Sequence, residues 1–420
     1  FRGRMGELCG MSEHLETRAM FAGHDPALNH GAVKPAIQPS STFVFPDAES
    51  GARYFELAHG AEGLPGESGG FIYSRLNHPT LQTAETRLAA WDQSEDAAFF
   101  SSGMAAVSTA LMAWSGLARP IWHGTPLYGG TEHMVVHLLP DLGIPVHRID
   151  PANATAAGLD TLLKETGHLP GVIYLETPAN PTMQMTRIAD IAQWARKHET
   201  PEHRIVVMVD NTYLGPILQR PLALGADLLI YSATKYLGGH SDLIAGAVSG
   251  RKDAMQQVRK FRTYLGGVAD AWTAWLLARS METLHIRVQR QQETASKVLA
   301  FLRRDARVFS LRSAFPEDLD DATAAIAREQ TAGGGSMLAF EVAGGKAGAQ
   351  RFLNALKHFQ LAVSLGSTES LAEHPATMTH SQVDDVQKAA AGITDGLVRL
   401  SIGLEHPEDL IADLDQALGA

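Results

Sequence analysis

Lys235 stands in a sequence context that suits covalent chemistry. It follows the apolar run Leu228–Tyr231, is flanked by Ser232 and Thr234, and precedes a Gly-Gly pair. A lysine at the end of a buried strand can be desolvated, which lowers the pKa of its amine and makes it a Schiff-base nucleophile. Taken alone, a single lysine is more often a solvated surface charge, so this interpretation depends on what accompanies it.

Two other segments carry the groups that such a lysine would need. Asp210 ends the apolar run that begins at Ile205, 25 residues before Lys235, and its carboxylate could hold the protonated nitrogen of a pyridine ring. The small residues Ser102 and Gly103 open a predicted helix, whose backbone N–H groups could bind a phosphate. An aldehyde-capturing lysine, a pyridinium carboxylate and a phosphate cradle together predict pyridoxal 5'-phosphate as the cofactor.

The elements that must position these residues alternate along the chain. Continuous apolar runs, typical of strands covered by helices on both faces, are separated by helical stretches such as 104–114 and 188–197. This alternation predicts an α/β fold with a mostly parallel sheet, in which ligands bind at the carboxyl ends of the strands. The predicted strands are Ala97–Phe100, Pro120–His123, Val146–Ile149, Val172–Glu176, Ile205–Asp210, Leu228–Ser232 and Ile244–Ser249.

The chain divides into three predicted segments. Residues 1–70 are rich in Gly, Pro, Ser and His and are expected to form an irregular N-terminal arm that ends in a Gly-rich stretch. Residues 71–270 carry the alternating pattern and form the predicted large cofactor-binding domain. Residues 271–420 begin with a long helical pattern over 271–304 and continue as a smaller α+β domain.

Composition restricts the class of protein. The 420 residues include 35 basic and 46 acidic side chains, a net charge of −11 that gives no electrostatic footprint for nucleic acid. No apolar run approaches the roughly 20 residues of a membrane span. The single cysteine, Cys9, fits a reducing compartment. His133 and His137 lie four residues apart but have no third ligand in sequence, so no metal site is predicted. We expect a cytoplasmic protein that binds neither nucleic acid nor membrane.

The segment around Lys235 resembles a known signature. Ser232-Ala-Thr-Lys-Tyr-Leu-Gly-Gly-His-Ser-Asp242 is similar to the cofactor-lysine motif of the Cys/Met-metabolism pyridoxal-phosphate enzymes. That family comprises cystathionine γ-synthases, γ- and β-lyases, methionine γ-lyases and O-acylhomoserine sulfhydrylases. Further motifs follow the family's order: Tyr73–Arg75, Phe100–Met104, Tyr128–Thr131, Glu176–Pro181, Asp210–Thr212, Ser364–Gly366, Glu373–His380 and Arg399–Gly403.

The resemblance implies a fold-type I architecture and a homotetramer built from two catalytic dimers. It implies that Lys235 binds the cofactor aldehyde and shuttles protons, that Asp210 pairs with the pyridinium nitrogen, and that Tyr128 stacks on the ring and assists proton transfer. The cofactor phosphate would be bound from within the subunit by Gly103, Met104, Ser232 and Thr234. Tyr73 and Arg75 would reach the phosphate of the neighbouring subunit.

The resemblance also assigns the substrate residues. Arg399 would grip the α-carboxylate of an amino acid as a bidentate fork, while Ser364 and Asn180 would line the substrate and cofactor edges. Family members that act on the γ side of cystathionine carry a Glu at the position of Val363 and commonly an Arg at that of His133. Since Val363 cannot hold a distal ammonium, we expect a short or uncharged substrate tail.

Two other departures from the family pattern concern neighbouring motifs. Gly130 stands where methionine γ-lyases carry a cysteine, which weakens the match to that member. His78 separates Asn77 from Pro79, where the family has Asn directly before Pro-Thr, which alters one local contact.

These observations favour a lyase that acts at the γ-carbon of a sulfur-containing or homoserine-derived L-amino acid, like a methionine γ-lyase, releasing a 2-oxo acid and ammonia. The alternatives within the family are a γ-replacement enzyme, either an O-acylhomoserine sulfhydrylase or a cystathionine γ-synthase, and a cystathionine γ-lyase. A dinucleotide oxidoreductase is disfavoured because no strand-adjacent G-x-G-x-x-G opens a helix. A non-catalytic scaffold is disfavoured because every cofactor residue is present.

Overall fold

The computed structural model describes residues 14–58, 60–63, 67, 69–381, 383 and 385–420. Cys9 and part of the predicted Gly-rich stretch at 63–70 therefore lie outside the described residues. None of the described helices is long and apolar enough to cross a membrane.

A seven-stranded sheet forms the centre of the fold. Its spatial order is β1-β7-β6-β5-β4-β2-β3, in which β7 runs antiparallel to both β1 and β6 and the other neighbours are parallel. Apolar side chains from both faces of the sheet are buried in two separate core clusters, as continuous apolar strands predict. The strands are β1 Asp96–Phe100, β2 Ile121–Gly124, β3 Val146–Ile149, β4 Val172–Glu176, β5 Val206–Asp210, β6 Leu228–Tyr231 and β7 Gly246–Gly250.

Helices accompany this sheet and also occur in the N-terminal segment. They are α1 Leu15–Phe21, α2 Ala48–Ala58, α3 Pro79–Asp92, α4 Gly103–Trp114, α5 Gly129–His133, α6 Leu139–Asp141, α7 Ala156–Thr166, α8 Ile188–His198, α9 Gly215–Leu218 and α10 Lys252–Leu265. The prediction that residues 1–70 are irregular is wrong for α1 and α2. Gly51 is buried within α2, and a Cβ at this position would lie 2.9 Å from the Phe45 ring. This glycine allows close packing.

A second, five-stranded sheet follows in the chain, in the order β10-β11-β12-β9-β8. Its strands are β8 Val308–Ser313, β9 Met337–Val342, β10 Gln360–Leu361, β11 Leu371–Glu373 and β12 Leu397–Ser401. The accompanying helices are α11 Ala271–Met281, α12 Leu284–Leu302, α13 Asp321–Gln330, α14 Gly345–Ala355, α15 Asp385–Ala390 and α16 Pro407–Leu418. The two sheets confirm the predicted α/β class with a smaller α+β part, while the boundaries at 70 and 270 remain predictions.

The long helix predicted over 271–304 is two helices, because a side chain from elsewhere interrupts it. The Arg87 guanidinium donates to the Ala278 carbonyl at 2.7 Å and to the Glu282 carboxylate at 3.0 Å. The Glu282 N–H bonds instead to the carbonyls of Arg279 and Ser280, which ends α11. The break depends on a contact between residues 191 positions apart, which helical periodicity alone does not reveal.

Candidate active site

A cavity of about 350 Å³ lies at the carboxyl ends of β4, β5 and β6. Side chains from the second sheet close it on one side, because β12 and the segment before β11 face those strand ends. The predicted site residues that line it are Gly103, Met104, Tyr128, Asn180, Asp210, Ser232, Thr234, Lys235, Val363 and Arg399. The fold thus brings together residues separated by almost 300 positions, where strand-end ligand sites are expected.

Lys235 is held as a partly buried amine. Its Nζ donates to Ser364 Oγ at 2.7 Å, which places the predicted substrate residue Ser364 beside it. Burial, together with the nearby Arg399, lowers the pKa of Lys235 to about 8, and Glu373 partly opposes this. A substantial fraction of the amine is therefore neutral and nucleophilic near neutral pH. Ser364 itself adopts a φ of 110°, a strained conformation for a residue with a side chain.

Asp210 is fixed at the end of β5. Its Oδ1 accepts the Thr212 N–H at 3.0 Å, and its Oδ2 accepts the Tyr174 hydroxyl at 3.2 Å. Burial raises the pKa of Asp210, which makes its carboxylate a stronger base toward a cation. A pyridinium nitrogen is a partner of that kind.

Glu176 is a site residue to which the sequence motifs assigned no role. Its Oε2 accepts the Tyr128 N–H at 2.6 Å and its Oε1 accepts the Asn180 N–H at 2.9 Å. Burial and the neighbouring Asp210 raise the pKa of Glu176 to about 8. One carboxylate thereby joins the loop that carries Tyr128 to the loop that carries Asn180. The sequence signal that could have identified Glu176 as a site residue was its position at the end of β4, within the motif Glu176–Pro181.

The start of α4 offers backbone N–H donors. The Ser102 side chain accepts the Ala105 N–H at 3.1 Å and the Ser102 carbonyl accepts the Ala106 N–H. The first N–H groups of a helix have no intrahelical acceptor, so those of Gly103 and Met104 are available to an anion. A Cβ on Gly103 would lie 3.0 Å from the Ser232 side chain, so glycine lets the start of this helix approach Ser232 without crowding it.

Thr234 lines the same cavity but its hydroxyl has backbone partners. It donates to the Ala245 carbonyl at 3.1 Å and accepts the Ala245 N–H at 3.0 Å. A phosphate contact from Thr234 would therefore require its hydroxyl hydrogen to turn away from Ala245. The predicted role of Thr234 remains a prediction.

Arg399 is buried on β12, with 3% of its side chain exposed. Its Nη1 donates to Asn180 Oδ1 at 3.1 Å and pairs with Glu373 Oε1 at 2.9 Å, and its Nη2 donates to the Ser364 carbonyl at 2.8 Å. Its Nε is buried without a hydrogen-bond partner among the described residues. An arginine that lines a cavity with an unpaired N–H is suited to receive a carboxylate.

The two residues used to predict the substrate tail lie in different places. Val363 lines the cavity, with 54% of its surface exposed. His133 does not line it; its ring packs against that of His137, with centroids 4.8 Å apart. Within the described parts of the chain, no group of three or more His, Cys, Asp or Glu side chains could hold a metal ion.

Tyr73 and Arg75 lie outside the cavity of their own chain. Tyr73 is 44% exposed, and the Arg75 guanidinium lies 5.8 Å from the centre of its ring. Arg75 Nη1 also donates to the Thr263 carbonyl at 2.5 Å. These two residues form an exposed cationic and aromatic pair that reaches no group of this site within the subunit.

The residues of the cavity fit pyridoxal phosphate. Lys235 can capture an aldehyde, Asp210 can hold a ring nitrogen, and the free N–H groups of Gly103 and Met104 can bind a phosphate. Fold and site together define a pyridoxal-phosphate-dependent enzyme of fold type I.

Comparison with known proteins identifies the family. The pattern described as Cys/Met metabolism PLP-dependent enzyme matches residues 16–419, and the chain belongs to this family. It is 40% identical over 413 residues to L-methionine gamma-lyase of Pseudomonas putida, covering 96% of this chain and 97% of that protein. These matches confirm the predicted family, fold and cofactor.

Solved structures give the same result. The structure of cystathionine gamma synthase from Xanthomonas oryzae pv. oryzae in complex with aminoacrylate and cysteine superposes with a TM-score of 0.86 at 33% identity, covering 97% of this chain and 98% of that one. Cystathionine gamma-lyase from Lactobacillus plantarum, complexed with L-serine, gives 0.84 at 32% identity, with 97% and 99% covered.

Proposed function

We propose that this enzyme eliminates the γ-substituent of a sulfur-containing or homoserine-derived L-amino acid and releases a 2-oxo acid and ammonia, as a methionine γ-lyase does. The observation that carries the proposal is the wall of the cavity, where the apolar Val363 adjoins Ser364 and Arg399. An arginine for the α-carboxylate beside an apolar side chain suits an amino acid with an uncharged tail. Relatives named L-methionine gamma-lyase support it.

Different residues of the chain would bind the substrate and hold the cofactor ring. Arg399, with Asn180 and Ser364 beside it, would bind and orient the α-carboxylate. When bound, pyridoxal phosphate supplies an electron sink for the negative charge that develops at Cα. Asp210 would keep a proton on the ring nitrogen, because an ionised carboxylate favours the protonated form of its partner.

Lys235 would move the protons. Its amine, with a pKa of about 8 set by burial and Arg399, can take the Cα proton when neutral and return it when protonated. Loss of a proton from the β-carbon then lets the γ-substituent leave with its bonding electrons. Water finally releases the nitrogen as ammonia and leaves the carbon skeleton as a 2-oxo acid. Tyr128, whose loop Glu176 holds, would stack on the ring and assist the proton transfers.

A γ-replacement reaction is the second candidate, because cystathionine gamma synthase structures superpose on this chain. It would use the same cofactor residues and differ only in that a thiol captures the unsaturated intermediate before water does. A cystathionine γ-lyase is the third candidate. It would be favoured by a side chain that pairs with the distal ammonium of cystathionine, and Val363 cannot provide that charge.

The assembly and compartment belong to the same proposal. The enzyme would be a homotetramer of two catalytic dimers, in which Tyr73 and Arg75 reach the phosphate at the neighbouring site. Both residues are exposed and neither lines the cavity of its own subunit, which supports this assignment. A cytoplasmic location is supported by the single cysteine among 420 residues.

A panel of amino acids tests the reaction. The purified holoenzyme is incubated with L-methionine, L-homocysteine, O-acetyl-L-homoserine and L-cystathionine, each with and without an added thiol. Release of 2-oxo acid without thiol supports γ-elimination. A thioether product that forms at the expense of oxo acid when thiol is present would identify a replacement enzyme instead.

A further inference from the structure

The arginine proposed to bind the substrate already has a carboxylate partner inside the protein. Glu373 on β11 lies directly opposite Arg399 on β12, and its Oε1 is 2.9 Å from Arg399 Nη1. Both side chains are almost fully buried. Because desolvation offsets much of the attraction in a buried ion pair, fold stability alone does not account for a carboxylate beside this cavity-lining arginine.

A directional hydrogen-bond chain holds Glu373 in place. The Thr379 hydroxyl donates to Glu373 Oε1 at 2.9 Å. Since that hydrogen is committed, His380 Nδ1, which lies 3.0 Å from the same hydroxyl, must itself donate. Burial lowers the pKa of His380 to about 4, so its ring is neutral at physiological pH. The carboxylate is thus fixed by a neutral donor on one side and by Arg399 on the other.

These contacts determine which part of Arg399 is free. Nη1 is shared between Glu373 and Asn180, and Nη2 donates to the Ser364 carbonyl. Two of the five N–H groups remain, namely the second N–H of Nη2 and that of Nε, and Nε is buried without a partner among the described residues. Glu373 therefore helps to fix the guanidinium of this cavity-lining arginine with the N–H groups of Nε and Nη2 left for a ligand.

We propose that Glu373 is a positioning residue for the α-carboxylate of the substrate, which aims Arg399 and offsets part of its positive charge. The inference rests on the proposed role of Arg399. A bound carboxylate would then meet an arginine whose charge is partly compensated and would lie near a second negative charge. Glu373 would thereby moderate the affinity for amino acids, which allows the acid product to leave.

Two ligands that differ only in the carboxylate test this role. Glycine and methylamine are each titrated into the holoenzyme, and binding is followed by the absorbance of the cofactor. In Glu373→Gln, which keeps an oxygen acceptor for Arg399 and loses the charge, we expect the ratio of glycine affinity to methylamine affinity to rise about tenfold. An unchanged or lower ratio would overturn the proposal.

Thr379→Val provides a second variant should Glu373→Gln fail to fold. It keeps the shape of the side chain and removes the hydroxyl that donates to the ionised Glu373. The ratio of glycine affinity to methylamine affinity should therefore rise, but by a smaller factor than in Glu373→Gln. An unchanged ratio there contradicts the proposal.

Arg399→Lys distinguishes the proposed role of Arg399 from that of Glu373. If it leaves the ratio at the wild-type value, the proposed role of Arg399 fails. If it lowers the ratio while Glu373→Gln does not raise it, only the role of Glu373 fails. Oxo acid release from methionine is measured separately and reports on the proposed reaction.

Discussion

Glu176 and Asp210 lie directly opposite each other at the ends of the neighbouring parallel strands β4 and β5. Both carboxyl groups are buried, and the pKa of each is raised, that of Glu176 to about 8. Burial is the largest cause for both, and for Glu176 repulsion by the Asp210 charge adds to it. The pair therefore favours a cation at this edge of the sheet, where a protonated pyridine ring would be held.

Asp210→Asn should lose far more turnover than cofactor content. A neutral amide cannot keep the ring nitrogen protonated, so negative charge at Cα is less well stabilised. We expect kcat to fall roughly hundredfold or more, ~3 kcal/mol in the barrier, with cofactor absorbance largely retained. Near-normal kcat at full cofactor content would show that another group holds the ring proton.

Glu176→Gln should impair catalysis by releasing one of the two loops that this carboxylate holds. The amide offers one oxygen, so either the Tyr128 N–H or the Asn180 N–H loses its acceptor. We expect kcat/KM to fall about tenfold or more. Glu165→Gln, at an exposed glutamate on α7, is the matched control. If both variants behave alike, Glu176 does not position the site.

Cofactor capture should depend on pH through Lys235. The pKa of this lysine is lowered from 10.5 to about 8, so its amine is mainly protonated below that pH and mainly neutral above it. The rate at which the apoenzyme takes up pyridoxal phosphate should therefore rise as pH increases through about 8 and then level off. A midpoint near 10.5 would mean that the lysine is solvated.

Borohydride reduction checks the same lysine independently. Reduction of the holoenzyme should attach the cofactor permanently to Lys235, in the peptide that mass spectrometry identifies. Lys235→Ala should give no reduced adduct. An adduct on another lysine in that variant would contradict the assignment.

Strand-end residues could be predicted from sequence because a single local pattern determines them. Asp210 and Lys235 each follow a continuous apolar run, and the parallel fold brings such ends together. Arg399, on β12 of the second sheet, was found only through the family motif. Its partner Glu373 was missed as a contact, because the pairing of β11 with β12 depends on the register of a strand of three residues. A strand that short has no periodicity from which register could be inferred.

A contact between distant segments accounts for another difference. The break between α11 and α12 depends on Arg87, which bonds to the Ala278 carbonyl. A tertiary contact there decides what local propensity leaves open.

Tyr73 and Arg75 should act at the site of the neighbouring subunit. If so, mixing inactive Arg75→Ala with inactive Lys235→Ala should restore activity, because a hybrid dimer holds one site without either substitution. Random exchange should recover roughly a quarter of the sites, since half of the dimers are hybrid. Asp210→Asn mixed with Lys235→Ala is the control: both changes affect the site of their own subunit, so no intact site can form. Equal recovery in both mixtures, or none in either after proven exchange, would contradict the shared site.

Val363→Glu should shift substrate preference toward cystathionine. The apolar side chain lines the cavity and has no charge to offer the distal ammonium of that substrate, whose burial without a partner would cost a few kcal/mol. A carboxylate at this position would supply the partner and at the same time penalise the methyl or acyl group of the other substrates. We expect the ratio of kcat/KM for cystathionine to that for methionine to rise about tenfold, ~1.4 kcal/mol.

The control for this specificity change is Val386→Glu, at a valine that is 80% exposed and does not line the cavity; it should leave the ratio unchanged. The same comparison is made for O-acetylhomoserine, which shares the uncharged tail and should behave like methionine. The wild-type enzyme provides the decisive measurement. If it already prefers cystathionine to methionine by tenfold or more, another side chain supplies the distal charge, and Val363 does not determine which substrate tail is accepted. The γ-elimination would survive that result, because Lys235, Asp210 and Arg399 act on the part that all three substrates share.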